Sequence, residues 1–303
     1  MKTEEFYINS SSDDLNISLL VVFPNTPPKA IVQIAHGMCE HKERYIPFAG
    51  FLAENGYITV INDHRGHGKT IANNNDLGYF YSGGYQAAID DLHIVTLWAK
   101  QQYPNLPIYL FGHSMGSMLV RSYLKQYDFE LSKLVVCGCV SYNRLVGFGK
   151  FTARLIAHLK GDHHRSKLIQ KLTFGRHNKN ITNPQSANAW LCTDNNIVLQ
   201  YDNDSLCNFI FTANGFYNLF KLMQDTYSNK GWKTQNKNIP IYFIAGADDP
   251  CIGNAQQFNK AVEFLRNRGY QSINSKLLPN MRHEILNEPD KTAWTEILNF
   301  FNQ

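Results

Sequence analysis

Leu110-Phe-Gly-His-Ser114-Met-Gly-Ser117 sets one serine between two glycines, directly behind the apolar run Pro107-Ile-Tyr-Leu-Phe111. An exposed turn rarely carries such an apolar lead-in, and two glycines weaken a buried strand interior. The stretch reads as the end of a strand, a sharp turn at Ser114, and a helix from Met115 to Tyr127. In G-x-S-x-G at such a junction the turn is crowded, so the residues two positions away from the serine must lack side chains. The turn lifts the hydroxyl above a sheet. It also sets the Met115 N–H at a helix N-terminus, where it can donate to a developing oxyanion.

The flanking sequence predicts that sheet. Leu15 to Phe23 and Ala30 to Ala35 read as strands, with Pro24, Pro27 and Pro28 between them. Tyr45 to Glu54 reads as a helix stopped by Asn55-Gly56, and Tyr57 to Asn62 as a strand. Gln86 to Tyr103 reads as a helix with Ile89, Leu92, Val95 and Ala99 on one face. Pro107 to Phe111 and Lys133 to Val140 are strands on either side of the Ser114 helix. This alternation means a mostly parallel sheet covered on both faces. From Ser141 to about Gln235 the alternation stops and helix-like pieces follow. It resumes with strand 239–245, helix 255–268, strand 272–278 and helix 291–301. The expected organisation is an α/β core of residues 1–140 and 236–303, with a mainly helical insertion at 141–235.

A serine nucleophile needs a base, and the base needs an orienting carboxylate, in the chain order Ser, Asp or Glu, His. Strand 239–245 runs into Gly246-Ala-Asp-Asp-Pro250, so a carboxylate stands at the end of a parallel strand, where α/β sites assemble. Position alone leaves Asp248 and Asp249 both open. His283 follows the next strand, in Pro279-Asn-Met-Arg-His283-Glu. Upstream, strand 30–35 ends in His36-Gly37-Met38, a loop of the kind that supplies a second oxyanion donor through the Met38 backbone N–H.

Other readings are excluded. Gly68-Lys69-Thr70 ends like a phosphate loop, but that pattern requires glycine at position 63, where Asp63 would repel phosphate. His64-x-x-His67 and His163-His164 lack the partners of a metal motif and are expected as surface or loop residues; no cofactor and no metal is expected. The net charge of +4 is too small to point to nucleic acid. The acidic N-terminal stretch is not a secretory signal, and no window holds about 18 uninterrupted apolar residues. The six cysteines form no CxxC pair and read as buried hydrophobes in a reducing compartment. These features predict a soluble cytoplasmic protein.

Five ordered motifs then carry a resemblance. HGMCEHKERY at 36–45, DHRGHGKT at 63–70, GHSMGS at 112–117, GADDP at 246–250 and MRHEILNE at 281–288 resemble the monoacylglycerol lipase and lysophospholipase group of the α/β-hydrolase fold. Related chains also carry the label of serine aminopeptidase-like hydrolases. The resemblance implies Ser114 as nucleophile, His283 as base, and Met38 and Met115 as oxyanion donors. It also implies Asp249 over Asp248, because the family's aspartate stands fourth in a G-x-x-D stretch. The insertion corresponds to the family's cap. The implied activity is cleavage of carboxylic esters, monoacylglycerols or lysophospholipids first. An aminopeptidase of the same fold and a catalytically silent ligand-binding module are the alternatives.

The insertion is basic. Twelve Lys and Arg stand against five Asp, a net +7 that leaves −3 for the rest of the chain. Leu145, Phe148, Leu155, Ile156 and Leu159 interleave with the charges at a spacing that suits one amphipathic helix. The expectation is a basic cap that rests on anionic lipid, or an ordinary charged roof over an apolar pocket.

Overall fold

The computed structural model describes residues 2–303. Eight strands are β1 (Lys2–Asn9), β2 (Asn16–Phe23), β3 (Ala30–Ala35), β4 (Tyr57–Asn62), β5 (Ile108–His113), β6 (Lys133–Cys137), β7 (Ile241–Gly246) and β8 (Ile273–Leu278). They form one sheet in the order β1-β2-β4-β3-β5-β6-β7-β8. Every pair from β4 onward is parallel, while β1–β2 and β2–β4 are antiparallel. This is the α/β-hydrolase architecture that the sequence predicts.

The helices of the core are α1 (Ile46–Glu54), α2 (Gly84–Gln102) and α3 (Met115–Tyr127). Successive strand residues serve opposite faces. Ile31, Val60, Leu110, Val136 and Phe243 pack with Leu92 of α2 and Leu119 of α3. Val32, Ile61, Phe111, Val135 and Ile244 pack with Phe48 and Leu52 of α1 on the other face. Because both faces are covered, these strands are apolar throughout rather than alternating. Truncating one such residue, Leu119 for example, costs about 2–5 kcal/mol.

Four helices fill the inserted stretch: α4 (Val146–Lys160), α5 (Lys167–Phe174), α6 (Asn195–Asn203) and α7 (Ala213–Thr226). The core then closes with α8 (Ala255–Arg266) and α9 (Thr292–Asn302). α7 seats the insertion on the core, where Thr226 Oγ1 meets Ser122 Oγ at 3.1 Å and donates to the Leu222 carbonyl. Gly149 lets α4 close on α7, since a Cβ there would lie 3.0 Å from the Phe220 ring.

The amphipathic helix read from Leu145 to Leu159 is α4, and α5 follows beyond Gly161, at φ +88°. The apolar face turns outward: Leu145, Phe148, Phe151, Leu155, Leu159, Leu168 and Leu172 are exposed, up to 70% for Leu145. His64 and His67 are loop residues, as expected, and they are buried, packed in tilted and edge-on fashion against His36 at ring-centroid distances of 4.2 and 5.2 Å. Strand β6 stops at Cys137, earlier than expected, because Gly138 turns the chain at φ +54°.

Candidate active site

Ser114 occupies the turn between β5 and α3 at φ 54°, ψ −114°, a conformation that only glycine adopts without strain. Its crowding explains the flanking glycines. A Cβ on Gly116 would lie 2.0 Å from the Ala35 carbonyl oxygen, and one on Gly112 would lie 2.5 Å from the Gly116 carbonyl oxygen. The Ser114 N–H donates to the Cys137 carbonyl at 3.1 Å, which ties the turn to the end of β6.

Asp249 follows β7 and is buried, whereas Asp248 is exposed. Asp249 Oδ2 lies 2.8 Å from His283 Nδ1, and its Oδ1 accepts from the Cys251 N–H at 2.7 Å. His283, in the loop after β8, is 2% exposed. Gly138 makes room for it: a Cβ there would lie 3.3 Å from His283 Cε1. The Ser114 side chain approaches Gly37 so closely that a Cβ on Gly37 would lie 3.2 Å from Ser114 Cβ. Ser114, His283, Met38 and Met115 all line one cavity of about 1360 Å³ between the sheet and the inserted helices.

A buried ionic network, which the sequence reading missed, braces this site. Glu40 accepts hydrogen bonds from the Gly37 N–H and from Tyr45 Oη. Its carboxylate also meets His113 Nδ1 at 3.3 Å and Arg44 at 2.8 Å. Arg44 makes two bonds of 2.7 Å to Glu284, the residue after His283. Arg44 also lies over the ring of Tyr201 on α6, at 5.0 Å. Burial pushes the Glu40 carboxyl up, but the His113 hydrogen bond and the Arg44 charge outweigh it and hold Glu40 well below the usual carboxylate range. Burial likewise opposes charge on His113, yet the bond to Glu40 raises its pKa. His113 Nε2 lies 3.2 Å from the His283 carbonyl oxygen. Because Glu40 takes the Gly37 N–H, the next N–H, that of Met38, is left free for a ligand. A motif of charges at 40, 44 and 284 was visible, but nothing in the spacing says that they meet.

Two more side chains enter from the insertion. Trp190 packs 5.1 Å from the His283 ring, and His177 packs 4.8 Å from Trp190. Burial, with the nearby His283 adding to it, lowers His177 to about 4.

The phosphate-loop likeness dissolves in the structure. Asp63 fills the turn, accepting from the Lys42 and Lys69 N–H groups and from Lys42 Nζ at 2.8 to 2.9 Å. Elsewhere, His41, Asp204 and Cys207 bring metal-ligand atom types within 4.8 Å of one another. His41 bridges the carboxylates of Glu43 and Asp204 at 2.6 and 2.8 Å. Burial opposes its charge, but these two bonds raise its pKa, which favours the imidazolium over the neutral ligand form.

Comparison with known proteins follows this geometry. Residues 26–290 match the family model described as Serine aminopeptidase, S33. The monoacylglycerol lipase of Mycolicibacterium smegmatis is 33% identical over 284 residues, covering 89% of each chain. Among solved structures, a highly thermostable carboxyl esterase from Bacillus coagulans in complex with glycerol is 28% identical. It superposes with a TM-score of 0.91 over 100% of this chain and 98% of its own. A soluble variant of monoglyceride lipase from Saccharomyces cerevisiae, at 18% identity and a TM-score of 0.74, covers 100% of this chain and 96% of its own, and shares the fold. The chain belongs to the serine aminopeptidase S33 family of α/β-hydrolases.

Proposed function

We propose that this hydrolase cleaves the ester of monoacylglycerols or lysophospholipids through Ser114, His283 and Asp249. The carboxylic ester chemistry rests on the lipase and esterase relatives. The observation that carries the residue assignment is the buried 2.8 Å bond between Asp249 and His283, opening onto the same cavity as Ser114.

Asp249 holds His283 with its Nδ1 protonated, so Nε2 is the free base. Ser114 Oγ attacks the acyl carbonyl as its proton passes to Nε2. The oxyanion receives the N–H groups of Met38 and Met115. The tetrahedral adduct collapses, the glycerol-type alcohol leaves with the proton from His283, and an acyl-serine remains. Water, deprotonated by His283, attacks in turn and releases the fatty acid. The backbone donors stand at a helix N-terminus and a strand end, so they are in place before charge develops.

The inserted helices act as a cap. Its exposed apolar residues on α4 and α5, with Lys160, Lys167 and Lys171 beside them, favour contact with an anionic lipid surface. Among the described residues no helix is long and apolar enough to cross a membrane. A cytoplasmic site of action fits six free cysteines, five of them buried. Among the described residues, the carboxylates that line the cavity are Glu40 and Glu284, and Arg44 engages both, which disfavours binding of a peptide's terminal ammonium.

A fluorophosphonate probe should label wild type and fail to label Ser114→Ala. Purified enzyme should turn over a monoacylglycerol or a lysophospholipid and leave aminoacyl anilides intact. Anilide turnover without ester turnover would replace this reading with an aminopeptidase.

A further inference from the structure

Four cations line the cavity. Arg144 precedes α4, Arg176 and Lys179 follow α5, and Lys260 belongs to α8 of the core. All four line the cavity and all are exposed. Among the described residues none of them joins an ion pair, although Lys69, Lys276 and Arg266, likewise exposed, each find a carboxylate. The two carboxylates of the cavity wall are already held by Arg44. The cavity therefore carries four unpaired cations, together with the apolar side chains of Met118, Leu219 and Phe220 in its lining.

A neutral glycerol headgroup makes no ion pair with these cations. With its ester at Ser114, a substrate places both acyl chain and headgroup in the cavity that the four cations line. We propose that the preferred substrates are lysolipids whose headgroup carries a net-negative phosphate, with Arg144, Arg176, Lys179 and Lys260 as headgroup-recognising residues. This rests on the ester-hydrolase reading of Ser114. Arginine suits the role because its planar fork binds phosphate through two parallel hydrogen bonds. The recognition is distinct from lipid docking by α4 and α5, whose exposed apolar residues do not line the cavity.

The test compares kcat/KM for 1-octanoylglycerol and 1-octanoylglycerol 3-phosphate, both as monomers, which removes any bilayer. Wild type should favour the phosphate by roughly 10-fold, the size expected from two or three exposed charge contacts, and the preference should shrink with added salt. In Arg176→Gln/Lys179→Gln the ratio of the two substrates should fall toward one through KM of the phosphate. The charge-conserving Arg176→Lys/Lys179→Arg pair should keep most of it, separating charge from fold. Inorganic phosphate, which lacks the acyl chain, should compete only at millimolar concentration. Inhibition at micromolar phosphate would make this a free-anion site and overturn the proposal. So would equal or better use of the neutral substrate by wild type, or a ratio unmoved in the glutamine pair. Turnover of neither substrate, with Ser114 still labelled by the fluorophosphonate, would overturn the lysolipid reading itself.

Discussion

Replacing Ser114 with glycine should stabilise the protein while removing its activity. Ser114 sits at φ 54°, ψ −114°, outside the regions open to residues with a Cβ. Holding a residue there costs about 1–3 kcal/mol. Glycine relieves that cost but brings a freer unfolded chain, which takes back about 0.4–1 kcal/mol. The net expectation is a gain of about 1–2 kcal/mol, or a Tm rise of roughly 2–3 °C at this chain length. Ser114→Ala keeps the Cβ, and with it the strain, so its Tm should stay near that of wild type. Both variants should lose on the order of 10⁴-fold in kcat. Scanning calorimetry and urea unfolding of the three proteins, side by side, make the measurement. A glycine variant no more stable than the alanine variant would mean that the turn is relaxed, and that its dihedral angles store nothing.

The remaining expectations can be checked as briefly as they are stated. Asp249→Asn should lower kcat by roughly 10⁴-fold, because His283 loses the partner that fixes its tautomer, while exposed Asp248→Asn should change it little; steady-state kinetics on a soluble ester decides. Burial holds His67 at about 4, against about 6.5 when unfolded, so the unfolded chain takes up a proton that the fold refuses, and stability falls as pH drops from 6.5 to 4. That one ring adds about 1.4 kcal/mol per pH unit to the slope, and His67→Phe, set among Phe80, Phe209 and Phe211, should flatten the curve by that amount in urea titrations at stepped pH; an unchanged slope would mean that the ring is protonated in the fold. Phe148→Ser/Phe151→Ser/Leu159→Ser should weaken co-sedimentation with anionic vesicles and leave p-nitrophenyl acetate hydrolysis near wild type; equal sedimentation of the two proteins would remove α4 from the docking surface.

The core was legible because its signals are local. The apolar runs of β3 to β7, the Gly-Ser-Gly turn and the strand-end positions of Asp249 and His283 each lie in a few consecutive residues. β1 was not seen. Lys2–Asn9 is an edge strand, mostly exposed and rich in charge, and only Phe6 and Ile8 lean on the core. The helix α4 was legible, but what its apolar face meets was left open. Periodicity says which residues share a face, but not what that face meets. The Glu40–Arg44–Glu284 network was out of reach because its partners lie 240 residues apart and are joined only by folding.

The placement of the insertion has a consequence for synthesis on the ribosome. Strand β6 ends at Cys137, and its neighbour β7 begins at Ile241. Leu134 to Cys137 end up fully buried between β5 and β7. Until β7 emerges, their outer hydrogen-bonding edge has no partner. About 100 residues of cap must be translated in between, which takes roughly 5–20 s at ordinary elongation rates. An open, apolar strand edge is a template for pairing with other chains. During each round of synthesis the nascent protein therefore passes through an interval of aggregation risk, set by the length of its cap. Shortening the cap, or slowing translation within it, should change the yield of soluble protein before it changes anything in the finished enzyme.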